Sequence, residues 1–510
     1  MSENIAGLNT PDNYRLISCV VSNNEGRQWD LTDQLDSFEI KESIYQMFIS
    51  GSATFVENNN QFNRINWTGQ EYLRLHFSGI FQDSQEQPEE EHVNMVFRVF
   101  NVSKYMRDTQ SDLSKVIYGV RFCSPFRYEA NTKRLSKHFV GKNGQIIDQI
   151  CTDYLNFVNE EDNKNSLKPL VKGGKELGNY FSIIEGQAGE VHGFLCPNWT
   201  VRHALAHLSN KCSDDSEESM PYGDSYYFYQ TINDGFRFHS VNSMLNIEYL
   251  NGERVFAVRD TAGGLGDDYD NEDSIGTDIL NYNKSDMYNT LGGHMRGLYA
   301  STIHNYNTVS KQMTTVDSEF TQQFKVDDST GEYTGNTLSK APPFRTGFES
   351  IRIPDDGAVE PGQPMENADV VLDGDSIIKR YGAALNFDYA VPHTFSNVIE
   401  TGDSVSDSAI GRSVHVKGNR ERVEALFTTN RIAVRVSGRT NINAGMVINV
   451  DIPQPMIHKE QPDMTQNGRL LVESVIWKGS SFGLETHLTC TTDGFQAVPD
   501  TAPEPQRDDT

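Results

Sequence analysis

The stretch from Arg431 to Asp493 constrains the fold most, because its apolar residues recur at every second position. The alternating apolar residues are Ile432, Val434, Val436, Met446, Ile448, Val450, Ile452, Leu484, Leu488 and Cys490. A period of two is typical of strands that bury one face and expose the other, and Ser437-Gly438 and Asn467-Gly468 are typical of tight turns between strands. We predict an antiparallel unit of about four strands, which other strands must complete, since so few strands rarely close a barrel.

The same alternation recurs in the first quarter of the chain, and it predicts a β-barrel or sandwich there. The candidate strands are Tyr14–Val21, Ser37–Ile44, Phe48–Glu57, Glu71–Phe77, Val93–Val102 and Lys115–Cys123. The acidic segment Asp83–Glu91 separates two of them and is predicted to be a solvated loop.

The middle of the chain changes to a helical period, which predicts an α/β region. Apolar residues are spaced for a helix in Gly144–Leu155, and Thr200 is placed to cap a helix that runs to Cys212. Asn233-Asp234-Gly235 predicts a hairpin.

Two further elements are predicted beyond this region. Asn251-Gly252 indicates a second hairpin between Leu245–Leu250 and Glu253–Val258, whose strands would complete the C-terminal unit. Glu421–Phe427 has the spacing of another helix, leading directly into the C-terminal strands.

The charge balance argues against a protein that wraps nucleic acid. The chain has 44 basic and 71 acidic residues, a formal net charge of −27, whereas phosphate binding relies on clusters of cations. Acidity serves solubility, and it would also suit a surface that DNA slides past. No secretory signal and no apolar run long enough for a membrane span are expected. The six cysteines lack zinc-site spacing and are expected to be reduced and buried.

Two motifs share some features with metal sites. His203 and His207 have the i, i+4 spacing of a zinc protease helix, but Ala204 stands where the catalytic glutamate is needed, which favours a solvent-facing pair. The acidic segment Asp267–Asp278 lacks the glycine and final glutamate of a calcium loop, which favours a solvated loop, with opportunistic cation binding as the alternative.

Other constellations also favour a structural interpretation. Gly292-Gly293 lacks a following phosphate-loop lysine, and no nucleophile elbow is present. The segment Tyr226–Tyr229 is predicted to alternate between core and an interface face, with base or sugar binding as the alternative. A glycosidase-like carboxylate pair stays open, because acidic residues are abundant. We therefore expect no catalytic, cofactor-binding or metal-binding residues, and no enzyme activity.

The order of these parts resembles the baseplate hub family of contractile-tailed bacteriophages, whose fold is shared by the first half of type VI secretion spike proteins. The matching segments are Phe48–Phe77, Met95–Tyr105, Pro197–Cys212, Phe228–Ser240 and, most specifically, Arg431–Cys490.

The resemblance implies a mainly β fold with an α/β insert and two tail-tube-like β-barrels per chain. The implied domains are a first barrel at 1–134, an α/β domain at 135–235, a second barrel at 236–300 with 415–497, an insertion or arm at 301–414, and a disordered acidic tail at 498–510. Three chains would form a homotrimer, a pseudo-sixfold ring built from six barrels.

The implied function is that of a structural virion protein at the tail tip, assembled in the host bacterial cytoplasm. The homotrimer would adapt the hexameric tail tube protein to the trimeric central spike protein. DNA would pass its channel during genome ejection without specific binding, and the net charge would make that channel acidic. Wedge proteins and the tape measure protein are further candidate partners, through 327–375 and the acidic tail. The alternatives are a tail-associated glycan-degrading enzyme and a type VI or pyocin-type spike subunit, but no fused needle or lysozyme domain is expected.

Overall fold

The structure is a computed structural model, and it describes eighteen stretches of the chain. They are residues 14–23, 25–81, 89–107, 115–155, 182–184, 192–213, 221–223, 225–248, 255–257, 279–284, 289–306, 313–327, 330–343, 350–353, 370–373, 384–388, 408–452 and 467–496. The fold is mainly β, as predicted, and is dominated by one large sheet.

The strands are numbered along the chain. They are β1 (Tyr14–Ser22), β2 (Gln28–Asp30), β3 (Leu35–Ser43), β4 (Gln46–Glu57), β5 (Tyr72–Phe81), β6 (Glu89–Arg107), β7 (Val116–Cys123), β8 (Arg134–Leu135), β9 (His138–Gly141), β10 (Ser182–Ile184), β11 (His192–Leu195), β12 (Trp199–Thr200), β13 (Tyr226–Thr231), β14 (Gly235–Ser240), β15 (Val255–Ala257), β16 (Ile279–Lys284), β17 (Ala300–Tyr306), β18 (Met313–Glu319), β19 (Ser350–Ile353), β20 (Val370–Asp373), β21 (Ala384–Asp388), β22 (Arg431–Ser437), β23 (Val447–Asp451), β24 (Gly468–Ser480) and β25 (Gly483–Thr491).

The helices are α1 (Gln61–Ile65), α2 (Pro125–Thr132), α3 (Asn143–Leu155), α4 (Val201–Asn210), α5 (Val241–Met244), α6 (Thr290–Met295), α7 (Phe320–Gln323) and α8 (Ser408–Thr429). A short 3-10 turn spans Thr32–Gln34. Among the described residues, no helix is long and apolar enough to cross a membrane.

The large sheet joins the N-terminal and C-terminal strands edge to edge. Its 13 strands follow the order β16-β22-β25-β24-β3-β4-β7-β6-β5-β1-β2, with β23 and β15 attached through β24. The first part of β24 pairs with β23, and its second part, from Ser474 to Ser480, pairs antiparallel with Ser43 to Ser37 of β3. The predicted C-terminal unit therefore has four strands, and β3 and β16 extend it on its two sides.

A single hydrophobic cluster lies beneath both groups of strands. Phe38 and Ile40 of β3 belong to it together with Val475 and Trp477 of β24, and all four side chains are buried. Because alternate residues of paired strands share a face, the apolar positions predicted from the sequence meet on the same side of the sheet. The opposite side keeps the polar positions.

The α/β region confirms three predicted elements. α3 and α4 occupy the predicted helical segments, and β13 and β14 form the predicted hairpin. The Thr200 hydroxyl accepts the His203 N–H at 3.3 Å, which caps α4 as the sequence indicates. The apolar stripes of both helices enter a second hydrophobic cluster with one face of the hairpin.

The second predicted hairpin, around Asn251-Gly252, is wrong. Leu245 follows α5 as its C-cap, and Glu248 forms an isolated parallel bridge to Val447. The strand β15 pairs in parallel with the same partner, β23. Both described flanks therefore run parallel to β23 and cannot form an antiparallel hairpin with each other, and Asn251-Gly252 itself lies outside the described residues. β15 nevertheless lies within 245–258, where the missing partner strands were expected.

The region between the C-terminal strands and the α/β part contains further elements. β17, β18 and β21 form a separate three-stranded sheet. α8 is much longer than the predicted Glu421–Phe427, and its C-terminal half packs into a third hydrophobic cluster with the other face of the β13–β14 hairpin. The domain boundaries drawn from the sequence stay a prediction.

Candidate functional site: the open polar face of the large sheet

The face opposite the core of the large sheet is the candidate functional surface, and we call it the open face. It is built by outward-pointing residues of six adjacent strands, β22, β25, β24, β3, β4 and β7. Its central residues are Ala433, Arg435, Ser437, Glu485, His487, Thr489, Ser474, Ile476, Lys478, Ser480, Ser37, Glu39, Lys41, Ser43, Ser50, Ser52, Thr54, Gly119 and Arg121. Nine of these 19 residues are serine or threonine, and six are charged.

The strand register arranges these side chains in rows across the sheet. One row places Glu485 opposite Lys478, Lys478 opposite Glu39, and Glu39 opposite Ser52, which faces Arg121 on β7. Directly opposite residues in antiparallel strands lie within about 5.5 Å of each other. Charges from the N-terminal and C-terminal strands therefore form one continuous surface.

The neighbouring row runs from Arg435 through His487 and Ile476 to Lys41. Arg435 and His487 of this row form a small ionic cluster with Glu485 of the first row. The Arg435 guanidinium lies 3.7 Å from the Glu485 carboxylate, which also lies 3.1 Å from the His487 ring. Desolvation, followed by the positive charge of Lys478, lowers the pKa of His487 despite that carboxylate. His487 is therefore neutral near pH 7 and adds no charge to the open face.

Three cations of the open face have no ion-pair partner in the part of the chain that the structure describes: Lys41, Lys478 and Arg121. Lys478 and Arg121 are largely exposed, and Lys41 is partly exposed. With Arg435 they make four basic residues against two acidic ones, Glu39 and Glu485, whereas the whole chain has 44 against 71. The open face thus differs in sign from the protein as a whole.

The β13–β14 hairpin is fixed to β3 by a buried carboxyl group. Glu42 of β3 accepts the Ala444 N–H at 2.6 Å and the Ile232 N–H at 2.8 Å. Burial raises the pKa of Glu42 to about 8, although the two backbone N–H groups oppose the shift. Glu42 thereby connects β3, the hairpin turn and the loop that precedes β23.

Further polar contacts surround this carboxylate. Asn233 donates to the Thr440 carbonyl at 2.7 Å, and Asn443 donates to the Asp234 carboxylate at 2.9 Å. The Asp234 carboxylate also pairs with Arg237 at 2.6 Å. These contacts link the hairpin turn to the C-terminal unit, so the two parts of the chain are held in a fixed relationship.

The sequence-predicted candidates that the structure describes lie away from the open face, and in the described part of the chain they do not assemble into a chemical site. The Trp199 ring contacts the imidazoles of both His203 and His207, with ring centroids at 4.5 and 5.0 Å, and of the two only His203 is largely exposed. Asp267–Asp278 lies outside the described residues. Gly292 belongs to α6, where its N–H is capped by the Asn289 side chain at 2.7 Å. Within the described stretches, no three His, Cys, Asp or Glu side chains form a metal-binding group.

The aromatic segment Tyr226–Tyr229 differs from its prediction. Tyr226 and Phe228 enter the cluster of the α/β region, as expected for the core side. Tyr227 and Tyr229, expected on an interface face, are buried against α8 and the C-terminal strands. Both faces of this hairpin are therefore internal, because α8 covers the second one.

The sequence patterns alone do not identify the cations of the open face as a group. Each of these cations, Arg435, Lys41, Lys478 and Arg121, occupies a polar position in a strand of alternating apolar and polar residues. Only the pairing of β24 with β3 brings these slots together.

No family model and no curated protein matches the sequence. The chain is similar in structure to the 43 kDa tail protein of prophage MuSo2 from Shewanella oneidensis, with 10% identity, a TM-score of 0.47, and coverage of 94% of this chain and 99% of that chain. It is also similar to a tail protein from Neisseria meningitidis, with 8% identity, a TM-score of 0.47, and coverage of 96% and 100%.

A third similar structure is the Francisella PdpA–VgrG complex, with 11% identity, a TM-score of 0.40, and coverage of 96% of this chain and 59% of that chain. The three similar structures are thus a prophage tail protein, a further tail protein and a VgrG-containing complex.

Proposed function

We propose that this chain is a structural virion protein, the hub of a phage baseplate. In this proposal a homotrimer adapts the hexameric tail tube to the trimeric central spike and surrounds part of the DNA channel. The protein carries out no chemistry of its own. It acts by presenting fixed surfaces to the tube on one side and to the spike on the other.

The observation that carries the proposal is the pairing of β24 with β3. Through it, the N-terminal and C-terminal strand groups become one sheet with one shared core and one polar face. Two strand groups side by side in each chain would give six around a threefold axis. That arrangement supplies the matching symmetry that a trimer needs at a hexameric tube.

The two ends of the large sheet support an assembly in which copies meet edge to edge. β16 pairs with β22, and β2 pairs with β1; neither has a second partner strand in the described part of the chain. Exposed strand edges are usually covered, because their N–H and C=O groups would otherwise pair with other chains. A head-to-tail contact between such edges closes into a ring when the rotation permits it.

The fixed geometry between strand groups and hairpin also supports an adaptor role. The Glu42 contacts and the Asn233 and Asn443 contacts tie the hairpin to the sheet. An adaptor between two symmetric partners needs such rigidity, because its surfaces must stay in register with both partners.

The proposal is tested by counting copies. Native mass spectrometry of the purified chain, or a reconstruction of the tail tip, is expected to give three copies around an open channel. A stable monomer in solution, together with six copies or one copy in the particle, would contradict the hub proposal.

Tyr282→Glu on the edge strand β16 is expected to weaken the trimer. Val140→Glu is the control, because Val140 is 64% exposed on β9, outside the large sheet.

A further inference from the structure

The open face differs in charge from what the composition indicates. A chain with a net charge of −27 predicts an acidic lining wherever DNA passes. The described open face instead combines four basic residues with two acidic ones. We propose that this face binds the phosphate backbone of double-stranded DNA without sequence specificity.

The spacing of the unpaired cations suits a row of phosphates. Lys478 and Arg121 lie on the same row, with β3 and β4 between their strands. At about 4.8 Å per strand they are separated by about 14 Å of sheet. Duplex DNA presents a charge about every 1.7 Å along its axis, so about eight phosphate charges fall within that distance. Lys41 lies diagonally from Lys478 across the β24–β3 pair and adds a third contact point.

Between Lys478 and Arg121 the row holds the Glu39 carboxylate and the Ser52 hydroxyl, and further hydroxyl groups lie alongside on β4. Ser50, Ser52 and Thr54 occupy successive outward positions of β4, next to Lys41 and Glu39 of β3. Hydroxyl side chains contact phosphate oxygens in many protein–DNA complexes and carry no sequence information. Because these side chains are short, they cannot reach base edges in a groove, which leaves the backbone as the group they recognise.

An acidic protein is a weaker fit to the same surface. Protein partners are usually anchored by buried aromatic or aliphatic residues at the centre of the interface. Across the middle of the open face, Ile476 is the one large apolar side chain, and it is already half buried. A surface with separated cations and hydroxyl groups, but without an apolar centre, favours a flexibly placed polyanion such as a nucleic acid.

This inference depends on the proposed hub only for its location in a channel. The experiment uses the full chain and a fluorescein-labelled DNA duplex of about 20 base pairs. Fluorescence anisotropy is measured over a series of salt concentrations, and mass photometry of the same samples gives the number of copies.

The test variant is Lys41→Gln/Arg121→Gln/Lys478→Gln, and the control is Arg64→Gln/Lys325→Gln/Lys340→Gln, three exposed cations away from the open face. At low salt the test variant is expected to lose about tenfold or more in affinity, and the slope of log K against log salt is expected to fall by about 3 units. The control is expected to keep the wild-type affinity and slope. Circular dichroism melting confirms that both variants are folded.

Equal losses in the test and control variants would overturn the inference, and so would the absence of any salt-dependent binding by wild-type protein. A polyglutamate peptide that binds as tightly as the duplex, with the same sensitivity to the test variant, would assign the face to an acidic protein instead. If the chain is trimeric and DNA binding fails, the hub proposal stands alone. If DNA binds but no trimer forms, the hub proposal fails and the DNA-binding face stands.

Discussion

Trp477 of β24 lies directly opposite Ile40 of β3, and both side chains are fully buried in the cluster beneath the two strand groups. The indole N–H of Trp477 donates to the Arg439 carbonyl at 2.9 Å. The same carbonyl accepts the Thr486 hydroxyl, also at 2.9 Å. Trp477 therefore packs at the junction between β24 and β3, and its hydrogen bond holds Arg439 in the loop that follows β22.

Truncation of this side chain should be among the most destabilising single changes. Trp477→Ala removes a large buried ring at the junction, and we expect a loss of about 3–5 kcal/mol in the free energy of unfolding. Ile476→Ala removes the half-buried side chain of the neighbouring residue, which lies on the open face, and the loss in the free energy of unfolding should be clearly smaller. Denaturant unfolding followed by near-UV circular dichroism compares the two variants. Equal losses would show that the junction is not a centre of stability.

Glu42 should make stability depend on pH. Its pKa is raised in the folded protein to about 8, above the ordinary value of 4.5. The folded state therefore holds a proton that the unfolded state releases between these values, and the contribution of Glu42 to stability should fall as pH rises from about 5 to about 8. Denaturant unfolding at several pH values measures this slope.

Glu42→Gln is the matched variant for that measurement. It should remove the Glu42 part of the slope, because an amide does not titrate in this range. It should also cost about 1–3 kcal/mol near neutral pH, because the amide group turned towards the Ala444 or Ile232 N–H leaves a buried donor unpaired. A Glu42→Gln protein with the wild-type pH dependence would mean that other groups produce the slope.

Asp493 should hold the segment around Ser339 against the C-terminal strands. Its buried carboxylate accepts the Ser339 N–H at 2.8 Å, the Leu338 N–H at 3.0 Å and the Tyr222 hydroxyl. Asp493→Ala leaves these donors unpaired, and each buried unpaired group costs about 1–3 kcal/mol. Hydrogen exchange of peptides covering 333–341 should accelerate strongly. In Asp317→Ala, which removes an exposed carboxylate bound to Thr302, exchange in that segment should not change; acceleration in both variants would contradict the assignment.

The local elements were predictable because their signals lie between neighbouring residues. The alternation in Arg431–Asp493 predicted four strands, and four are present. Thr200 predicted the beginning of α4 through its capping hydroxyl, and Asn233-Asp234-Gly235 predicted the β13–β14 hairpin. The hairpin predicted around Asn251-Gly252 does not form, because its described flanks, Glu248 and β15, both run parallel to β23, a strand distant in sequence.

The character of each surface was less predictable. Tyr227 and Tyr229 alternate like exposed interface residues, but α8 covers them, and no local pattern announces that packing. Glu42 occurs in a strand among other charged residues and is nevertheless buried, because the backbone N–H groups of Ile232 and Ala444 converge on it. Burial of a charged group depends on partners that come from remote parts of the chain.

The sequence by itself determined the periods, the turns and the net charge, because these depend on residue order and composition alone. From them it determined a mainly β chain with an α/β region and a C-terminal unit in need of further strands. The tertiary structure alone decided that β24 pairs with β3, and therefore that Lys41, Lys478 and Arg121 share a face. The physical reason is that strand pairing satisfies backbone hydrogen bonds that every strand offers, so the choice of partner depends on how the whole core packs.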